Sequence, residues 1–173
     1  MAKKIFLVGY MGSGKTTAAS LISDRLGWLF TDLDQKIETD MGITITEIFN
    51  TLGEDKFREL ERIALYQTIS VNSNHIVATG GGTPCFFDSM QIMNREGITI
   101  YLRLSQELLY NRLVNSPIRI NRPIVSQLGH AELWKIITWQ LAVREPFYIQ
   151  ARHIIDCDFL SEETIADRVI ALI

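Results

Sequence analysis

The sequence predicts an α/β fold built on a parallel sheet, and two observations carry that expectation. Short apolar runs of strand-forming residues alternate along the whole chain with stretches of helical periodicity, the pattern of a sheet covered by helices. The first of those runs, Lys4-Ile5-Phe6-Leu7-Val8, passes straight into Gly9-Tyr10-Met11-Gly12-Ser13-Gly14-Lys15-Thr16. That stretch fits G-x-x-x-x-G-K-[ST], the P-loop that links a strand to a helix and wraps nucleotide phosphates. With 173 residues, 47% of them hydrophobic and 21% charged, the chain is expected to form one domain spanning 1–173 with a real core.

In the P-loop, bare glycines let successive N–H groups turn inward as an anion nest at the positive end of the next helix. Lys15 reaches the β- and γ-phosphates and the Thr16 hydroxyl ligates Mg²⁺. The following helix, Thr16 to Leu26, carries Ala18, Ala19, Leu21, Ile22 and Leu26 at helical spacing and stops at Gly27. Trp28 to Thr31 is the second strand, ending in Asp32-Leu33-Asp34, and Gln35 to Met41 is a helix whose first turn favours Asp34. Thr44-Ile45-Thr46-Glu47 is a capping box that opens a short helix through Ile48, Phe49 and Leu52. Gly53 breaks it, and Glu54 to about Val71 forms a longer one. Ile76-Val77-Ala78 is a buried strand running into Thr79-Gly80-Gly81-Gly82-Thr83-Pro84.

Helical spacing resumes from Asp88 to Glu96, Ile98 to Leu102 is a strand, and Ser105 caps a helix to about Leu113. Residues 115–129, with Pro117, Pro123 and Gly129, interrupt the rhythm and read as a mobile loop or lid. Ala131 to Glu145 is helical and ended by Pro146, His153 to Asp156 is the last strand, and Ser161 caps a closing helix. There is no repeat, low-complexity tract or linker.

A net charge of −3 argues against nucleic acid or an acidic membrane as partner. No run approaches the length of a transmembrane helix, and the apolar stretch before the P-loop is too short for a signal peptide. Cys85 and Cys157 lack C-x-x-C spacing and read as incidental thiols of a reducing cytoplasm. His75, His130 and His153 are isolated, so no metal cluster is expected.

Ligands of open α/β sheets bind at the carboxyl ends of the strands. Past strands one to three come the P-loop, Asp32 with Asp34, and the glycine triplet, all expected to converge on one crevice. A kinase needs one carboxylate near Mg²⁺ and another near an acceptor hydroxyl; the plainer alternative makes Asp34 a helix N-cap and leaves Asp32 solvated. Arg58 and Glu61, at i, i+3, meet in any case. On the surface such a pair contributes under about 1 kcal/mol; facing the crevice, Glu61 holds Arg58 ready for a substrate carboxylate. Spacing leaves both readings open.

Taken together, Gly9 to Thr16, Asp32-Leu33-Asp34, Gly53-Glu54-x-x-Phe57-Arg58-x-x-Glu61, Thr79-Gly80-Gly81-Gly82, Arg122-Pro123 and Arg144-Glu145-Pro146-Phe147-Tyr148 occur in order. The series resembles the shikimate kinase family from about residue 5 to 156, and its Gly53–Glu61 and Thr79–Gly82 motifs are far more specific than the P-loop. The resemblance implies a three-layer P-loop NTPase fold, like that of nucleoside monophosphate kinases, with a five-stranded parallel sheet in order 2-3-1-4-5 and helices on both faces. It implies transfer of the γ-phosphoryl group of ATP to the 3-hydroxyl of shikimate.

By the same resemblance, Gly12, Ser13, Gly14, Lys15, Thr16, Thr17 and Arg122 hold ATP, and Thr16 and Asp32 place Mg²⁺, the latter partly through water. Asp34 binds shikimate hydroxyls and accepts the 3-hydroxyl proton, Arg58 and Arg144 grip the carboxylate, and Glu61 orients Arg58. Gly80, Gly81 and Gly82 supply backbone contacts, and Phe49 and Phe57 form apolar walls. Lys15, Asp34 and Arg122 are the catalytic residues, Arg122 as the lid arginine over the transferring phosphate. Arg112 and Arg119 are weaker candidates for adenine or phosphate contact, Arg112 otherwise being a solvated helix end, and Ile155-Asp156-Cys157 lies near the adenine loop. The chain departs from the family pattern at Tyr10-Met11 and in a lid segment, residues 116–121, of low charge. A monomer acting on shikimate and ATP is expected; a gluconate kinase-like enzyme and a non-catalytic ATP-binding regulator are the rival readings.

Overall fold

A computed structural model describes residues 2–115 and 129–173. Five strands, β1 (Lys4–Val8), β2 (Leu29–Asp32), β3 (His75–Ala78), β4 (Ile98–Arg103) and β5 (His153–Asp156), form one sheet in the order β2-β3-β1-β4-β5. Every pair in it is parallel, so the expected architecture is the observed one. Among the described residues the helices are α1 (Lys15–Leu26), α2 (Leu33–Met41), α3 (Ile45–Ser70), α4 (Ser89–Glu96), α5 (Gln106–Asn115), α6 (His130–Tyr148) and α7 (Glu162–Ile170), with a 3₁₀ turn at Thr83–Cys85.

The central strand explains why the sheet closes. Ile5, Phe6, Leu7 and Val8 are wholly buried, an apolar run that needs helices on both faces. From β1 the chain crosses past β3 to reach β2, and afterwards moves steadily the other way. With right-handed crossovers this reversal sends α1 to one face and α2, α3 and α4 to the other; α1 packs against α7, and α5 against α6. Connections leaving β1 and β3 in opposite directions open a crevice at their carboxyl ends.

Local chemistry accounts for most element ends. Gly27 and Gly42 close α1 and α2 in the left-handed region, each donating to a carbonyl of the last turn, and the Thr44–Glu47 capping box is formed. Gly53 does interrupt the helix, with φ 82° and ψ 172°, and α3 is two helical segments joined across that kink. Asp34 stands in the first turn of α2 as expected, and the alternative that made it the N-cap falls: the cap is Asp32, whose side chain accepts from the Gln35 N–H. One expectation is corrected. Pro146 does not end α6. The helix continues to Tyr148, a fully buried side chain whose anchorage outweighs the one hydrogen bond that proline forfeits. The expected lid falls almost entirely outside the described residues.

β2 is tied to β3 by a hydrogen bond between Thr31 Oγ1 and His75 Nε2 at 2.8 Å. His75 is buried, and its Nδ1 finds no partner among the described residues. Burial, and after it the nearby Lys4 cation, lower its pKa below the ordinary 6.5. The unfolded chain therefore takes up a proton that the native one refuses, so this residue's contribution to stability is constant above about pH 6.5 and falls as the pH drops below it. Urea midpoints at pH 7.5 and 5.5 test this: the wild-type midpoint is expected to fall on acidification, and the fall to shrink in His75→Gln.

Candidate active site

The P-loop leaves β1 through Gly9, at φ 144°. A Cβ there would stand 2.8 Å from the Leu102 carbonyl oxygen and 3.1 Å from Ser13 Oγ, so both conformation and space demand glycine. Lys15 begins α1 with its side chain folded back: Nζ donates to the Gly9 and Tyr10 carbonyls at 2.9 Å and to Ser13 Oγ at 3.4 Å. The ammonium is thus buried and held within the loop it serves. Arg112 reaches over from α5, its Nη1 donating to the Gly12 carbonyl at 3.1 Å, so it is part of the loop's surroundings and not a solvated helix end.

Thr16 Oγ1 donates to Asp32 Oδ2 at 2.6 Å, while Asp32 Oδ1 accepts from the Gln35 N–H at 3.2 Å. One carboxylate both caps α2 and meets the P-loop hydroxyl. These are hard oxygen donors of the kind Mg²⁺ prefers, and Mg²⁺ asks few of them from protein. A cleft of about 510 Å³ contains Lys15, Thr16, Asp32, Asp34, Gly81 and Arg112 in its walls. A more open trough of about 660 Å³ lies over Thr31, Gln67 and His75, away from the P-loop, with the Lys36–Asp40 ion pair at its rim.

The glycine triplet is the hub of the other half. A Cβ at Gly80 would come within 2.6 Å of Glu61 Oε1 and 2.7 Å of Asp34 Oδ1, and one at Gly82 within 2.9 Å of Arg58 Cζ. At Gly81 it would approach the Met11 N–H nitrogen to 3.3 Å and Arg144 Nη1 to 3.6 Å. The bare Gly80 and Gly82 therefore let two carboxylates and the Arg58 guanidinium close on one turn, with the P-loop backbone and Arg144 beside Gly81. The turn is held from both sides: Thr83 Oγ1 donates to Glu61 Oε1 at 2.7 Å, and the Tyr148 hydroxyl donates to the Gly81 carbonyl at 2.5 Å. Burial raises the Tyr148 pKa and keeps that phenol a donor.

Arg58 is only 8% exposed. Its Nη1 donates to Glu61 Oε2 at 2.6 Å, and its Nε and Nη2 donate to Glu54 Oε1 at 3.2 and 2.7 Å. Burial alone would lower its pKa, but Glu61 and then Glu54 outweigh that and raise it, so it stays a cation. Phe86, Phe57 and Phe49 surround the guanidinium, with ring centroids 4.0, 5.1 and 5.9 Å from Cζ. Arg144 sits over the Tyr10 ring at 5.7 Å, and the Tyr10 hydroxyl donates to Gln140 Oε1 at 2.6 Å. The Cys85 thiol is pushed up to about 11 by burial, against the pull of Arg144 and Arg58, and so is no nucleophile at neutral pH.

The described residues thus bring Lys15, Thr16, Asp32, Asp34, Arg58, Glu61, Arg144 and the glycine triplet together. Arg58 and Glu61 face inward, which resolves the ambiguity of their spacing. Arg119, Arg122 and the lid calls lie outside the described residues. Sequence reasoning missed the contacts of Glu54, Thr83, Phe86 and Tyr148. Glu54 had a signal, standing i, i+4 to Arg58, and Tyr148 closed a quoted motif without a role; Thr83 and Phe86 act through folding and had none. Asp156 pairs with Arg103 at 2.5 Å.

The family model for shikimate kinase matches residues 11–173. The shikimate kinase of Azobacteroides pseudotrichonymphae is 41% identical over 149 residues, 86% of each chain. That of Bacteroides thetaiotaomicron is 41% identical over 159 residues, 92% of this chain and 89% of its own. The 1.7 Å crystal structure of shikimate kinase from the latter organism superposes with a TM-score of 0.92 at 38% identity, covering 98% and 97% of the two chains. The Acinetobacter baumannii shikimate kinase in complex with shikimate gives 0.87 at 30%, covering 99% and 93%. A deoxyadenosine kinase from M. mycoides, at 0.59 and 18%, shares the fold.

The two carboxylates on Arg58 differ in exposure, and stability should register it. Glu61 is 3% and Glu54 55% exposed at the side chain. Glu61→Ala strips a buried ion pair and is expected to cost about 3 kcal/mol in urea unfolding. Glu54→Ala is expected to cost under about 1 kcal/mol.

Proposed function

The chain belongs to the shikimate kinase family, and from that premise we propose how its own residues divide the work. The enzyme is an ATP-dependent phosphotransferase of the shikimate pathway that converts shikimate and ATP to shikimate 3-phosphate and ADP. One observation carries the assignment of its acceptor site: Asp34, Glu61 and Arg58 press on a single glycine turn so closely that a methyl group on Gly80 or Gly82 would strike them, and its Gly81 faces the P-loop backbone and Arg144.

In this reading Gly12, Ser13, Gly14, Lys15, Thr16 and Thr17 bind the ATP phosphates, with Lys15 swinging from the loop carbonyls to the β- and γ-oxygens. Thr16 and Asp32 are the protein's contribution to Mg²⁺, supported by their mutual hydrogen bond. The ion, when bound, neutralises charge on the β- and γ-phosphate oxygens. Shikimate lies against Gly80, Gly81 and Gly82 with its carboxylate between Arg58 and Arg144, a bidentate recognition that fits a compact anion in a protein of net charge −3. Asp34, beside Gly80, accepts the 3-hydroxyl proton as that oxygen attacks the γ-phosphorus in line. Arg122 stabilises charge on the transferring group; this role rests on the sequence resemblance.

We further read the chain as one domain, acting as a cytoplasmic monomer without nucleic acid or membrane as partner. No described helix is long and apolar enough to cross a membrane, and burial pushes the Cys157 thiol up to about 12.

Release of ADP with Mg²⁺ and ATP, measured with shikimate, gluconate, quinate, AMP and no acceptor, tests the reading. Release with shikimate alone is expected; equal release with gluconate would overturn the acceptor site. Arg58→Ala is expected to raise KM for shikimate about 100-fold and leave KM for ATP unchanged. Arg122→Ala is expected to lower kcat by roughly 10³. Chelation of divalent cations should abolish turnover, and Thr16→Ala should raise the Mg²⁺ concentration needed for half-maximal rate.

A further inference from the structure

We infer that Glu54 and Phe86 are positioning residues for the acceptor carboxylate, fixing Arg58 so that one N–H on each of its terminal nitrogens is left for the substrate. The inference rests on the reading of Arg58 as a ligand of the shikimate carboxylate. It follows from a count of donors. A guanidinium carries five N–H groups. Glu61 takes one from Nη1, and Glu54 takes one from Nε and one from Nη2 through a single oxygen. Two have no acceptor among the described residues, one on each terminal nitrogen, which is the complement that a bidentate carboxylate requires.

The two carboxylates do different jobs. Glu61 is buried and tied in turn to Thr83, so it belongs to the fold. Glu54 is half in solvent, contributes little to stability, and its contact serves to fix the rotation of the guanidinium about its own long axis. Phe86 controls the remaining freedom. Its ring centroid lies nearer to Cζ than those of the other two phenylalanines, and the Gly82 backbone stands close to the same group. Together they set both the direction of the fork and the tilt of its plane. An arginine immobilised on folding forfeits no rotamer freedom on binding, so the gain appears in substrate affinity.

Steady-state kinetics of the full-length enzyme, with unfolding midpoints as a folding control, test the inference. Glu54→Ala and Phe86→Leu are each expected to raise KM for shikimate about 5- to 10-fold, the worth of one charge-assisted hydrogen bond or one cation–π contact. kcat and KM for ATP should stay within about twofold. Glu54→Gln, which keeps an acceptor oxygen, and Phe86→Tyr, which keeps the ring face, should recover most of the loss. In an Arg58→Ala background the substitutions should add nothing. An unchanged or lowered KM for shikimate, an equal rise for ATP, or an effect that persists without Arg58 overturns the inference. If Arg58→Ala itself leaves KM for shikimate unchanged, the reading beneath it fails as well.

Discussion

A buried guanidinium has to be paired wherever a chain places it, and the ion pair between Arg58 and Glu61 is the constraint on which this acceptor site depends. Desolvating that cation is tolerable only with a carboxylate at 2.6 Å and aromatic faces around it. Glu61 in turn is satisfied by Thr83, which starts the turn after the glycine triplet. The second half of α3 and the loop after β3 are therefore locked by charge as well as by packing. The triplet fits between them because it has no side chains to displace.

The donor half is organised differently. There the sheet does the positioning: β1 and β3 end level, with Leu7 beside Ala78, and β2 ends with Asp32 beside Ala78. The strand ends place the P-loop, the carboxylate of Asp32 and Gly81 of the triplet within one cleft. Asp32 illustrates economy of structure, since one oxygen holds the helix N-terminus and the other the Thr16 hydroxyl. Asp34, two residues on, stands in the first turn of α2 and beside Gly80.

Most of the fold and half of the site were legible in the sequence, and the division follows how far apart the interacting residues stand. The P-loop was legible because its chemistry is contiguous: strand, glycines, lysine and threonine within thirteen residues. Arg58 and Glu61 were visible as a pair, but spacing does not say whether a helix face is covered, and only the packing of α3 against the Thr83–Cys85 turn decides that. Pro146 was misread because a local rule met a tertiary anchor: a proline two residues from a helix end removes one hydrogen bond, whereas Tyr148 buries a whole ring. Phe86 gave no signal at all, since an aromatic after a turn looks like core until its cationic partner is known. Arg112 was ambiguous for the same reason, its carbonyl partner lying a hundred residues away.

The hydroxyl of Tyr148 on the Gly81 carbonyl has one more consequence. Arg144 and Tyr148 stand four residues apart on α6, so the arginine and the phenol project from nearly the same side of the helix. The phenol grips the turn that the arginine also approaches. The last turn of α6 therefore acts as a ruler, setting the gap between one guanidinium and the surface that faces it in units of helical pitch. Evolution is free to trade the side chains between those two positions but not their number. One residue more or fewer would swing the phenol by about 100° and leave the pocket with a wall of the wrong length.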